Sequence, residues 1–241
     1  QNFLLQKAFN KKLSNNLNYN GVSINTKNLK KNNLFFAIKG NKNDGHKFAK
    51  EALKKGAIKL VVNRRIKNVS NKKIIKVKNT LYALNELAKV TRDNTLARII
   101  GITGSAGKTT LKNLVSFALK NYGEVYHSPH SYNNKYGVPL SLSNIKQNTK
   151  YGVFELGMDK KGEINNLSKI IKPEVGIITN ISAAHIKNFK SLKDIAKAKS
   201  EIINNITEGG KIILNQDDDY FYFIKKIAIK KNINVISFSK K

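Results

Sequence analysis

The stretch Ile99-Ile100-Gly101-Ile102-Thr103-Gly104-Ser105-Ala106-Gly107-Lys108-Thr109-Thr110 decides the fold of this chain. Its apolar opening reads as a buried strand and its glycines as a tight turn. Leu111 to Tyr122 beyond it reads as an amphipathic helix. Strand, glycine-rich loop and helix in that order build a cradle for a polyphosphate. Backbone N–H groups line the loop, and the helix N-terminus directs partial positive charge at the anion. Gly104, Ser105, Ala106, Gly107, Lys108, Thr109 and Thr110 are therefore the expected nucleotide-binding residues. Packing alone gives no reason for Lys108 at the first helical position, where a cation opposes the helix dipole. The loop is a variant. The general phosphate-loop pattern has glycine five positions before Gly107, and this chain has Ile102 there.

Outward from the loop, strands and helices alternate. Towards the C-terminus, strands are expected at 98–103, 124–127, 151–156, 175–179, 211–214 and 234–238, with helices at 108–122, 162–171, 192–206 and 219–230. Towards the N-terminus lie a short helix and polar turn over 1–20, and strands at 22–27, 34–38, 58–62 and 74–77. Helices at 46–55 and 81–91 complete that part. The class is α/β: a small N-terminal α/β domain, then a P-loop-type central domain with a mostly parallel sheet covered by helices. The boundary is expected near Asn79, giving domains 1–79 and 80–241. The chain stops just after a strand, so a further domain is expected beyond it.

The 241 residues are 40% hydrophobic, enough for one large or two modest cores. No apolar run approaches the ~18 residues needed to span a bilayer, and no signal-peptide pattern is present. The absence of cysteine excludes disulfides and thiolate metal sites. The chain is expected to be cytoplasmic and monomeric. Its formal charge of +30 invites a nucleic-acid reading. The cations are mostly lysine, though, spread along the whole chain together with asparagine and isoleucine, as AT-rich codons would dictate. Basic-aromatic interleaving is missing. Nucleic acid is therefore not an expected partner, whereas anionic substrates are.

Ligands of open α/β sheets sit beyond the carboxyl ends of the strands. Glu155 ends the otherwise apolar strand Tyr151-Gly152-Val153-Phe154. A carboxylate there needs a cation, and Mg²⁺ beside a nucleotide is the natural one. His185 follows another strand and reads equally as a ligand or a structural residue. Asn133 and Asn134 precede Gly137-Val138-Pro139 and by residue type read as turn formers. Lys199, in a lysine-rich helix, reads as part of a solvated face.

Together these motifs resemble the Mur ligase family of ATP-dependent amide-forming enzymes. Thr103 to Thr110 has that family's loop form. Within the family the likeness is to the MurF type, carried by Leu34 to Gly40, Asp44 to Phe48, Tyr132 to Pro139, Glu155-Leu156-Gly157, Asn180 to His185 and Ala198 to Glu201. The resemblance implies that Lys108 and the loop amides hold the β- and γ-phosphates of ATP and that Thr109 ligates Mg²⁺. Glu155 and His185 would bind magnesium, joined by Lys199 as a carbamate. Lys108, Glu155, His185 and Lys199 would then form the catalytic set. It further implies a nucleotide contact at Asn215 and substrate contacts at Thr26, Lys27, Asp44, His46, Asn133 and Asn134. The implied substrates are UDP-N-acetylmuramoyl-tripeptide and D-alanyl-D-alanine, joined through an acyl phosphate. Where relatives carry Asp-Ser-Arg, this chain has Asn25-Thr26-Lys27, so the acidic residue is gone. Three other readings stay open: a Mur ligase adding a single amino acid, a P-loop ATPase acting on nucleic acid, and a binding fragment inactive by itself.

Overall fold

The structure, a computed structural model, describes residues 2–13, 17–41, 43–183 and 188–240. It contains two compact units, one of Gln1–Asn94 with Leu142–Asn144 and one of the remaining residues between Thr95 and Lys241.

In the first unit, strands β1 (Gly21–Ser23), β2 (Asn33–Phe36), β3 (Lys59–Val62) and β4 (Ile74–Lys76) form a parallel sheet in sequential order. The continuous apolar run at Leu34, Phe35, Phe36 and Ala37 is fully buried, as expected of a parallel strand covered on both faces. Phe35, Leu60 and Val62 pack with Ala49 and Ala52 of helix α2 (Ala49–Lys54). Helix α1 (Asn2–Phe9) brings Phe9 edge-on to Phe36 and also packs with helix α3 (Thr80–Asn94).

The buried stripe of α3, Ala83, Leu84, Leu87, Ala88 and Thr91, is what moves the unit boundary. Sequence alone places it near Asn79; the unit runs on to Asn94, because α3 gives its apolar face to this sheet. Two elements are also shorter than expected. The chain leaves β1 at Ser23, where the side chain of Asn25 accepts from Lys27 N and turns the backbone. The expected helix from His46 begins instead as a 3-10 turn, Gly45–Phe48, capped by Asp44.

The second unit carries six parallel strands in the order β10-β9-β8-β5-β7-β6. They are β5 (Arg98–Thr103), β6 (Val125–His127), β7 (Tyr151–Glu155), β8 (Val175–Ile178), β9 (Lys211–Asn215) and β10 (Asn234–Phe238). Ile102, Val153 and Ile177 form a buried layer under Leu111 and Val115 of helix α4 (Lys108–Leu119). On the opposite face a Cβ at Gly101 would crowd Ile171, in helix α6 (Glu163–Ile171), and Ile202. Helices α7 (Leu192–Ser200) and α8 (Phe221–Lys230) complete the described helices, with one addition. Residues 137–142, read from sequence as a Gly-x-Pro turn, form helix α5 (Gly137–Leu142). Pro139 lies in its first turn, where a missing N–H has no cost.

Candidate nucleotide site

The loop between β5 and α4 needs two left-handed residues, and both are glycine: Gly104 at φ +147° and Gly107 at φ +77°. Gly104 has no alternative, since a Cβ there would lie 1.8 Å from Oγ1 of Thr179. The segment after β8 holds the loop. Ser105 N donates to the carbonyl of Asn180 at 3.0 Å, and Ala106 N to its Oδ1 at 2.9 Å. Thr179 Oγ1 donates to the Ala106 carbonyl at 2.6 Å, and Ser182 N to Ser105 Oγ at 2.9 Å. Lys108 folds back over the loop, its Nζ donating to the carbonyls of Gly104 (2.8 Å) and Ser105 (3.3 Å). Burial lowers its pKa, and the charge of Glu155 partly opposes that shift.

Glu155 ends β7 only 2% exposed. Register places it opposite Ile102, so it faces α4 with Ile102 and Val153. Its Oε2 accepts from Thr109 Oγ1 at 2.7 Å and its Oε1 from Asn133 Nδ2 at 2.8 Å. Both partners are neutral, so a buried carboxylate sits beside a hydroxyl oxygen with its charge uncompensated by any direct ion pair among the described residues. That hard-oxygen pair suits Mg²⁺. No cluster of three or more His, Cys, Asp or Glu occurs among the described residues. Phosphate oxygens and water would have to complete the shell, which is how magnesium is usually held.

Asn133 and Asn134, alike in sequence, separate in the structure. Asn133 joins Glu155, and its carbonyl accepts from Gly157 N at 2.7 Å. Asn134 caps α5, its Oδ1 accepting from the amides of Tyr136 and Gly137. The turn-former reading therefore holds for Asn134 and fails for Asn133. Lys199 corrects its residue-type reading outright. It is 2% exposed on α7, not part of a solvated face. Burial, and then the positive charge of Lys108, push its pKa down to about 7. Thr110 sits in the first turn of α4, and Asn215 ends β9. Asn215 shares a small pocket with Asn180, Asp218 and Phe221, its Oδ1 accepting from Asp217 N. His185 lies outside the described residues.

The remaining candidates lie in the first unit. Asp44 Oδ1 accepts from His46 N and from the ring Nδ1 at 2.6 Å, while Oδ2 meets Arg64 at 2.5 Å. Burial would raise the carboxyl pKa, but the His46 hydrogen bonds and the nearby charges of His46 and Arg64 outweigh it and hold it at about 2. His46 is buried, with Asn63 N approaching its Nε2. Both residues thus tie down the turn after β2. Thr26 is buried, its carbonyl accepting from Lys55 Nζ, while Lys27 is exposed.

Residue-type reasoning missed Lys112. It is 1% exposed, its Nζ donating to the carbonyls of Ser128 (2.8 Å) and His130 (2.5 Å). One signal pointed to it: Lys112 lies one turn beyond Lys108, on the inward face of α4.

Two family models match this chain: "Mur ligase family, catalytic domain" over residues 18–93 and "Mur ligase middle domain" over 102–241. Among curated proteins, the UDP-N-acetylmuramoyl-tripeptide–D-alanyl-D-alanine ligase of Rickettsia prowazekii is 38% identical over 231 residues, covering 96% of this chain and 51% of the relative. The ligase of that name from Buchnera aphidicola of Acyrthosiphon pisum is 40% identical, covering 91% and 48%. A crystal structure of MurF from Acinetobacter baumannii is 30% identical with a TM-score of 0.87, covering 100% of this chain and 53% of that one. MurF from Thermotoga maritima in complex with ADP is 30% identical with a TM-score of 0.79, covering 95% and 52%. The chain spans about half the length of the relatives it matches.

Proposed function

The chain belongs to the Mur ligase family, and from that premise we propose that it serves the ATP-dependent joining of D-alanyl-D-alanine to UDP-N-acetylmuramoyl-tripeptide. The observation that carries this reading is the pairing of a glycine-built phosphate loop with the buried Thr109–Glu155 oxygen pair. The relatives' names supply the amide-forming chemistry and the two substrates.

In this reading the second unit holds ATP. The loop amides and Lys108 grip the phosphates, so Lys108 exchanges the carbonyls of Gly104 and Ser105 for phosphate oxygens. Thr109 and Glu155 hold Mg²⁺, which when bound neutralises phosphate charge. Asn133 fixes the carboxylate of Glu155 in place, and Asn215 borders the nucleotide. Lys199 fits a carbamate, because CO₂ adds only to a neutral amine, and burial with Lys108 keeps a large share of Lys199 neutral near pH 7. The substrate carboxylate attacks the γ-phosphorus, giving an acyl phosphate and ADP. The incoming amine then displaces phosphate and forms the amide. Expelling phosphate replaces the far harder expulsion of hydroxide, and the protein contributes positioning and charge neutralisation. The first unit would bind the UDP end of the substrate through the region of Thr26, Lys27, Asp44 and His46. No described helix is long and apolar enough to cross a membrane, and we place the protein in the cytoplasm as a monomer.

Calorimetric titration of the chain with ATP and Mg²⁺ tests the nucleotide site. Binding that falls at least tenfold in Lys108→Ala is expected; no measurable binding, or binding indifferent to Lys108, refutes it. An amine panel with the whole ligase decides the second substrate. Phosphate release with single amino acids but not with D-alanyl-D-alanine would favour the single-residue-adding reading.

A further inference from the structure

We propose that Lys112 is a positioning residue of this site, its ammonium locking residues 128–137 into the conformation that delivers the Asn133 amide to Glu155. The metal-dependent part of the inference rests on the nucleotide reading above; the tether itself does not.

The helical period turns position 112 inward beside Leu111 and Val115, where a lysine needs acceptors to be tolerated. On that face Lys112 and Ser116 are the fully buried residues of α4, while Leu114 and Phe117 on the other side are 61% and 74% exposed. Burying an ammonium is unfavourable and persists where specific acceptors hold it. Here they are two carbonyls of one segment, Ser128 O and His130 O. His130, whose carbonyl is the second acceptor, is in the left-handed region at φ +45°, an uncommon conformation that turns the chain here. Downstream, Asn133 bonds Glu155 through its amide and Gly157 N through its carbonyl. Gly157 has room for this only because it lacks a Cβ, which would lie 2.8 Å from the Asn133 side chain. Upstream, Ser128 Oγ accepts from Glu155 N at 3.4 Å. Lys112 thus grips the segment between its two points of attachment to Glu155.

The test compares Lys112→Met with the unaltered chain and with Ser116→Ala, a control at a buried position on the same helix face. Amide exchange of the 128–137 peptide, read by mass spectrometry, should rise at least tenfold in Lys112→Met and change less than twofold in Ser116→Ala. ADP affinity in EDTA should stay within twofold, while the gain conferred by Mg²⁺ falls about tenfold; a general loss of stability would not produce that split. Should Lys112→Met fail to fold, Lys112→Gln, whose one amide cannot replace the ammonium, is judged by the same criteria. Exchange within twofold of the unaltered chain in the folded variant overturns the proposal. If the unaltered chain binds no ADP, the nucleotide reading fails, and the exchange comparison still decides the tether.

Discussion

Replacing Lys199 with methionine removes a buried ammonium while keeping most of the side-chain volume. In the folded chain this lysine titrates at about 7 against an ordinary 10.5. Between those values the unfolded chain holds the proton more tightly, so stability rises with pH across that window and is penalised most below it. Each pH unit across the window is worth about 1.36 kcal/mol, so this one group destabilises the fold by ~4 kcal/mol at pH 7 and by ~1 kcal/mol at pH 9.5. Lys199→Met should therefore be more stable than the unaltered chain at pH 7. Its advantage should shrink by ~3 kcal/mol on going to pH 9.5, as the lysine sheds its proton. Urea unfolding followed by circular dichroism, in buffers freed of CO₂ and fitted with one transition per unit, measures both numbers. The comparison is between two proteins at each pH, so the many surface lysines cancel. Parallel pH profiles for the two proteins would refute the account, since they would mean that Lys199 titrates normally. Labelled bicarbonate extends the same experiment: a carbamate carbon signal is expected in the unaltered chain and absent in Lys199→Met.

Gly104→Ala should cost at least ~2 kcal/mol and abolish ATP binding, because its Cβ meets Thr179 Oγ1 at 1.8 Å and its φ is +147°; unaltered stability and affinity would contradict the loop geometry. Glu155→Gln should erase the Mg²⁺ dependence of nucleotide binding in calorimetry, because the amide keeps the side-chain shape but not the anionic oxygen. Retained dependence would place the metal elsewhere. Asp44, with its pKa lowered to about 2, contributes stability that is present above the ordinary carboxyl value of 3.8 and lost as pH falls towards 2. Asp44→Asn should accordingly flatten the acid limb of the first unit's unfolding, and an unchanged limb would dismiss the His46–Arg64 arrangement as its cause.

Much of this protein was legible along the chain. Ile99 to Thr110 specified strand, loop and helix through short-range rules: apolar run, glycine at positive φ, amphipathic period. Alternation of such segments specified parallel sheets, and the position of Glu155 at a strand end singled it out as a candidate. Those are properties of neighbours in sequence. What they could not settle was which polar groups meet, because that depends on strand order. Glu155 reaches Thr109 across 46 residues and Asn133 across 22, through a sheet in which β7 lies beside β5. Asn133 and Asn134 differ only in which way the chain turns between Ser128 and α5, and Lys199 and Lys112 differ from other lysines only in being covered. The boundary slipped to Asn94 for the same reason, since the apolar stripe of α3 names no partner until the first sheet exists. Local pattern fixes the elements; burial and long-range hydrogen bonding, which exist only after packing, decide which residues make the site.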